Sequence, residues 1–244
     1  MRASSSTNQE MPTGADTYSS AMSDANNYMG WILDAIAPAV KAPVLEIGVG
    51  HGSYTEQLRT RGEYVGVDID QASVDLAKRL YPELRFHVAD ITQSEFVDDV
   101  GAESVNSVVC LNVIEHIPDD RLAVANLARV LKSGGNLAIV VPALNLLFND
   151  LDRLAGHLRR YRTQEVRQLL VAAGLTPVRV NYFNPIGGLG WLANRLVRHQ
   201  SLNDAAVNGQ IRAFDRWVVP ASRAVDPITR GFFGQSVIAI GRKP

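Results

Sequence analysis

The 244-residue sequence has a single cysteine, Cys110, which excludes an internal disulfide and a thiolate metal cluster. Cys110 lies in the apolar run Ser107-Val-Val-Cys-Leu111 and reads as a small core residue. No segment approaches the roughly 18 apolar residues of a membrane span, and the N-terminus lacks the basic stretch and apolar run of a secretory signal. A cytoplasmic protein without stable membrane insertion is therefore the expectation. An excess of one charge is missing too: 24 Lys and Arg stand against 25 Asp and Glu, which speaks against a nucleic-acid or acidic-membrane partner. What is present is 46% hydrophobic and 20% charged, the balance of a water-soluble globular protein, in a chain long enough for one α/β domain with additions.

Residues 1–23 are rich in Ser, Thr, Asn and Gly and read as a mobile N-terminal tail ahead of a single domain over 24–244. From Tyr28 to Ile36 the apolar residues follow helical spacing, ending before Pro38. Strands are then expected at Val44–Ile47, Tyr64–Val67, Leu84–Val88, Val105–Leu111 and Leu137–Val141, with intervening helices at Ser53–Arg61, Gln71–Leu80 and Asp119–Lys132. Gly134 and Gly135 read as the close of that last helix. A further helix at Gln164–Ala173 and strands at Pro177–Phe183 and Ser236–Ile240 complete the pattern, with a helical insertion over 184–235. Strands apolar on both faces, each followed by a helix, imply an α/β fold with a doubly wound, mostly parallel seven-stranded sheet.

Gly48, Gly50 and Gly52 follow the first strand and precede a helix. A ligand lying across the strand ends needs a tight turn and close backbone approach there, where a Cβ would collide. Asp68 ends the second strand, where its carboxylate can accept hydrogen bonds from two ribose hydroxyls. Asp90 ends the third, where it can accept from an exocyclic adenine amine. Either aspartate alone is equally a cap or turn residue; together with the glycines they point to an adenosine-containing ligand.

The loop reads Glu46-Ile-Gly-Val-Gly-His-Gly52, with closer glycine spacing than the Gly-x-Gly-x-x-Gly of nicotinamide dehydrogenases. With Val65-Gly-Val-Asp-Ile69, Val88-Ala-Asp-Ile91, Asn112-Val-Ile-Glu-His-Ile117 and Leu131-Lys-Ser-Gly-Gly135, the sequence resembles the class I S-adenosylmethionine-dependent methyltransferases over about residues 28–183. The resemblance implies a Rossmann-like methyltransferase fold and S-adenosylmethionine as cofactor. It places Gly48, Gly50 and Gly52 against the methionine moiety, Glu46 near its amino group, and Asp68 on the ribose. Ile69 would cover the adenine, Asp90 and Ile91 would read its edge, Asn112 would face the methionine amine, and Tyr28 would close over the carboxylate.

Methyl transfer needs a nucleophile aligned with an activated methyl group and, where necessary, a base. His116, just after the fourth strand, suits a general base, or equally a histidine that pins its loop. Some quinone-pathway O-methyltransferases that resemble this stretch hold a divalent metal with two glutamates and the histidine. The first glutamate position is Asn112 here, so no metal is expected. Between Asp152 and Tyr161, His157 could deprotonate an acceptor, Tyr161 orient it, and Arg159 or Arg160 bind an anionic group; the other reading is an Arg-rich turn that caps the next helix. In and beside the insertion, Phe183, Trp191, Phe214, Trp217, Phe232 and Phe233 would wall an apolar acceptor pocket or a homodimer surface.

The expected function is O- or N-methylation of a small molecule in a natural-product or carbohydrate-related pathway. Two alternatives stay open: a non-methylating biosynthetic enzyme of pericyclase or isomerase type that binds the same cofactor, and an NAD-dependent oxidoreductase.

Overall fold

The alternation of strands and helices closes into one seven-stranded sheet in a computed structural model that describes residues 25–196, 201 and 205–244. The tail expected at 1–23 lies outside the described residues. The strands are β1 (Val44–Ile47), β2 (Tyr64–Asp68), β3 (Arg85–Val88), β4 (Val105–Leu111), β5 (Leu131–Pro142), β6 (Thr176–Phe183) and β7 (Ser236–Arg242). Their order is β3-β2-β1-β4-β5-β7-β6, and β7 runs antiparallel to both neighbours while the other pairs are parallel. The order reverses between β1 and β4. Loops leaving those two strands therefore part in opposite directions and open a crevice at their carboxyl ends, where ligands of such sheets bind.

Strand residues alternate between two cores. Leu45, Ile47, Val108, Cys110, Ile139 and Val141 pack under α4 (Glu95–Val100), α5 (Asp120–Val130) and α7 (Thr163–Ala172). On the opposite face Val44, Val109, Leu111 and Val140 pack under α1 (Asn26–Ile36), α2 (Thr55–Arg59), α3 (Gln71–Leu80) and α10 (Val219–Thr229). Cys110 is buried in the first core, and burial raises its thiol pKa, as its sequence context suggested.

Two local expectations are corrected. Helix α5 ends at Val130, because Leu131 is already extended and pairs with Val105. Gly134 and Gly135 therefore do not cap it. They bend β5, and their backbone exchanges hydrogen bonds with Lys243. Helix α4, too short to show a period in the sequence, follows β3. The glycine-rich start of the insertion forms helix α8 (Pro185–Ala193), with Pro185 in its first turn and the Asn184 side chain accepting from the Gly187 amide. A Cβ on Gly187 would collide with Asn184 and Gln235, so the glycines there serve close packing.

The insertion continues through α9 (Ala205–Ala213) and a π-helical turn, Phe214–Val218, into α10. Asp215 of that turn accepts from the backbone amides of Asn27 and Tyr28, 3.2 and 2.8 Å away. A residue 187 positions away thus supplies the cap that Ala25 lacks, and the insertion is pinned to α1.

Candidate active site

The glycine loop leaves β1 beside the reversal point. Gly48, Gly50 and Gly52 have φ of 75°, 50° and 76°, in the left-handed region that favours glycine. A Cβ on Gly48 would lie 2.5 Å from the Val113 side chain, so this glycine lets the loops after β1 and β4 close together. A Cβ on Gly50 would meet nothing within 4 Å, so that side of the loop is open.

Asp68 fastens the loop: its carboxylate accepts from the Gly50 amide at 2.8 Å and from the Asp70 amide at 2.9 Å. Ile69 beside it is 61% exposed, an apolar platform beside Asp68. At the end of β3 one oxygen of Asp90 accepts from the Thr92 amide and hydroxyl, each at 2.8 Å, and a small cleft lined by Val88, Ala89, Asp90 and Gln93 opens there. Ile91 is buried, and its carbonyl accepts from Asn126. Asn112 is exposed with φ 54°, its amide tied to the Val140 carbonyl, just past the carboxyl end of β4.

Two residues of the expected cofactor set stand elsewhere in their local networks. Glu46 is 3% exposed, and one carboxylate oxygen accepts from Thr55 at 2.9 Å and from the Tyr64 hydroxyl. Burial pushes its pKa up to about 7 against those two hydrogen bonds. Its side chain thereby ties the start of α2 to β1 and β2 beneath the loop. Tyr28 is buried among Phe183 and Phe214, with its hydroxyl 3.5 Å from Ser236 Oγ. That position is a core position, because the ring must fill the space between α1 and the insertion.

Across the crevice, the turn after β4 and the segment after α6 (Asp150–Leu154) are sewn together. The Leu158 amide donates to the Glu115 carbonyl at 2.9 Å, and the His116 ring Nδ1 lies 3.3 Å from the Gly156 carbonyl. Gly156, with φ 76°, makes the turn that returns His157 toward His116, and the rings meet edge to face at 4.9 Å. His157 Nδ1 is 2.8 Å from Asp152 Oδ1, and His157 Nε2 is 3.9 Å from Glu115 Oε1. The structure thus brings His116 and His157 together from 41 positions apart.

Glu115 is fully buried, and neither carboxylate oxygen has a hydrogen-bond partner. Burial pushes its pKa up to about 7, opposed by His157 and Arg160. Burial, reinforced by His157, pushes His116 down to about 4. At neutral pH His116 is therefore an imidazole, and donating from Nδ1 to Gly156 leaves the lone pair on Nε2.

Asp152 was passed over by sequence reasoning as an ordinary turn aspartate, yet it organises this side. It is fully buried and accepts from His157, from Arg160 Nε at 2.8 Å, from the Asn149 amide at 2.9 Å and from Trp191 Nε1 at 3.2 Å. Burial acts to raise its pKa, but the His157 hydrogen bond and the Arg160 charge hold it below the ordinary carboxylate value. The available signal was the crowding of Asp, His and Arg around Gly156.

The remaining expected residues are committed to structure. The Tyr161 hydroxyl donates to Asp120 at 2.8 Å and lies 3.2 Å from the Ile114 carbonyl, in the core. Arg159 binds Asp120 and the Pro118 carbonyl; Arg160 lies between Asp152 and the Trp191 ring. Neither guanidinium is offered to an anion. The six aromatics do not line one pocket: Phe183 is buried against Trp31 and, like Phe214, packs on Tyr28, while Trp217 and Phe232 are 69% and 68% exposed.

A crevice floored by a glycine turn, with acidic residues ending the next two strands, defines an α/β protein of the nucleoside-cofactor class. A model described as a methyltransferase domain matches residues 45–139. A ubiquinone biosynthesis O-methyltransferase of Alkalilimnicola ehrlichii is 34% identical over 97 residues, which are 38% of this chain and 39% of that protein. One of the same description from Saccharophagus degradans is 30% identical over 116 residues, 47% and 49% of the two chains. The matches thus span less than half the length of these relatives.

Among solved structures, a SAM-dependent methyltransferase from Archaeoglobus fulgidus superposes with a TM-score of 0.60 at 17% identity, over 90% of this chain and 94% of that one. The [4+2]-cyclase SpnF superposes with a TM-score of 0.59 at 18% identity, over 90% and 81%. Residues 45–139 thus match a methyltransferase domain, and the fold is one shared with SAM-dependent methyltransferases. Among the described residues no helix is long and apolar enough to cross a membrane.

Proposed function

We propose that the chain methylates a small-molecule acceptor, at oxygen in the first instance, and that the acceptor is prepared at the Glu115–His116–His157 cluster. The observation that carries this reading is the placement of the cluster. It begins two residues after Val113, the residue against which Gly48 closes, so an acceptor lying there would face whatever rests on the glycine loop. The O-methyltransferase descriptions of the curated relatives favour oxygen over nitrogen.

When bound, S-adenosylmethionine supplies a methyl group activated by a sulfonium. The residues present fit such a group: the open side of Gly50, the exposed Ile69 and the reachable Asp90 edge leave room for an adenosine along the strand ends. Asp68 holds the loop and, with its remaining acceptor capacity, the ribose hydroxyls. Glu46 acts from beneath the loop as a positioning residue, and Asn112 faces the methionine end. At the acceptor, an O–H bond gives up its proton at the cluster, a C–O bond forms and the C–S bond breaks with its electron pair going to sulfur.

The test follows methyl-labelled cofactor added to the protein with a metabolite extract. Label should enter the low-mass fraction in step with formation of S-adenosylhomocysteine. Label confined to protein or nucleic acid would overturn the small-molecule acceptor. Conversion of a metabolite without label transfer would overturn methylation and favour a role like that of the similarly folded cyclase.

Asp68→Ala removes both the ribose ligand and the Gly50 anchor. S-adenosylhomocysteine should bind about 1.5–3 kcal/mol more weakly, the range for hydrogen bonds to a charged group, read by calorimetry. Unchanged affinity would remove Asp68 from the cofactor site.

A further inference from the structure

We infer that the outer face of the insertion is a docking surface for an anionic lipid bilayer. Trp217, Val225, Ile228 and Phe232 form this face, and Arg216, Arg223 and Arg230 line its flank. The proposal goes beyond the methyl-transfer reading and does not depend on it. The insertion lies outside residues 45–139, so the match to the methyltransferase domain does not account for its surface.

The first observation is that α10 has two apolar faces and buries only one. Val219, Ser222 and Asp226 are buried against the domain. Ser222 accepts from the Ile186 amide at 3.1 Å and donates to Asn184 at 2.7 Å, and Asp226 accepts from the Asn184 amide at 3.0 Å. Val225 and Ile228 stand in the open, with Trp217 preceding them at helical spacing, and Ile228 is 78% exposed. At the end of the helix the amides of Phe232 and Phe233 both donate to the Thr229 carbonyl. That reversal leaves Phe232 outside while Phe233 packs by Gly188. A surface helix ordinarily turns polar residues to water, so a group of large apolar side chains there marks an interaction surface.

The second observation is charge. Over residues 209–235, Arg212, Arg216, Arg223 and Arg230 are all exposed, whereas Asp215 and Asp226 are both buried and engaged with backbone amides. Arg216, Arg223 and Arg230 recur every seven residues, close to two helical turns, and so share one flank. Arg216 lies over the Trp217 ring, 4.9 Å from its centroid. Arg223 meets Asp34 of α1 at 2.8 Å in a pair exposed on both sides, which contributes little and yields to a stronger anion. The chain's net charge of −1 hides this local excess. Arginines beside tryptophan and phenylalanine suit the interfacial zone of a bilayer, where rings enter among the headgroups and guanidiniums meet phosphates. The same charges disfavour a second copy of this face, which would bring arginines against arginines. The surface is preformed, because Asp215 pins it to α1 and Ser222 to α8, so docking costs little ordering.

The test is flotation of the full chain with vesicles of phosphatidylcholine alone or with phosphatidylglycerol added, at low and high salt. The chain should float with the anionic vesicles and poorly with phosphatidylcholine alone, and salt should release it by screening the exposed charges. Arg216→Gln combined with Arg230→Gln should weaken binding roughly thirtyfold, about fivefold for each basic residue at such a surface. Trp217→Ala and Phe232→Ala should each weaken it about tenfold or more through lost apolar burial. Leu122→Ala, an exposed leucine on α5, should leave it unchanged. Brominated lipid should quench the tryptophan emission, and Trp217→Phe should keep binding while losing most of the quenching, since Trp31 is buried. An unchanged Tm verifies that each variant is folded. Absence of flotation with anionic vesicles at low salt overturns the surface, as does flotation that survives the arginine and aromatic substitutions. A dimer in sedimentation that Phe232→Ala dissociates would assign the face to a second copy and overturn it equally.

Discussion

His157→Ala is expected to lower turnover by about 10²–10⁴-fold, the range for losing a group that handles the acceptor proton, while S-adenosylhomocysteine binds as before. The expectation follows from where the side chain sits. His157 belongs to the segment after α6, on the acceptor side of the crevice, and none of its contacts is with the glycine loop, Asp68 or Asp90. The loss should therefore fall on kcat with the acceptor identified by the labelling experiment, and the cofactor isotherm should overlay that of the unsubstituted protein. His116→Ala should behave in the same direction. Full turnover in both variants would place acceptor activation elsewhere in the crevice.

Asp152→Ala is expected to destabilise the fold by roughly 3–5 kcal/mol, the cost of breaking a buried ion pair by removing one partner. Arg160 is the reason. Its side chain is 1% exposed, so without Asp152 a guanidinium charge is left in the interior with only the Ala143 carbonyl and the Trp191 ring beside it. In a domain of this size that corresponds to a fall in Tm of roughly 6–20 °C. Replacing both partners, as Asp152→Leu with Arg160→Met, should recover much of the loss, because two apolar groups of similar volume strand no charge. It should not recover turnover, since His157 would still lack the group on Nδ1. A loss below about 1 kcal/mol in the single variant would match a surface pair and not this buried network.

The two halves of the crevice were unequally legible. On the cofactor side, glycines at 48, 50 and 52 and aspartates ending β2 and β3 announce themselves, because left-handed turns and strand ends impose local requirements on residue type. Even there the side-chain partners were not legible: Glu46 turned out to hold hydroxyls of α2 and β2, and Tyr28 to fill a core between α1 and the insertion. On the acceptor side, Tyr161, Arg159 and Arg160 looked equivalent to His157 as functional candidates. Only burial and hydrogen-bond direction separate three side chains occupied with Asp120 and Asp152 from one whose Nε2 lies toward Glu115.

From the sequence alone came the sheet, its mostly parallel strands and the expectation of an adenosine-containing ligand at their carboxyl ends. Apolar periodicity and glycine placement are local properties, and parallel βα units assemble in few ways. What the tertiary structure alone decided is the chemistry opposite that ligand. Glu115 and His116 meet His157 across 41 positions of chain because the Gly156 turn and the Leu158–Glu115 hydrogen bond fold one segment onto the other. The protonation pattern of that cluster then follows from desolvation and from Asp152 and Arg160 behind it, which exist only once the interior has closed.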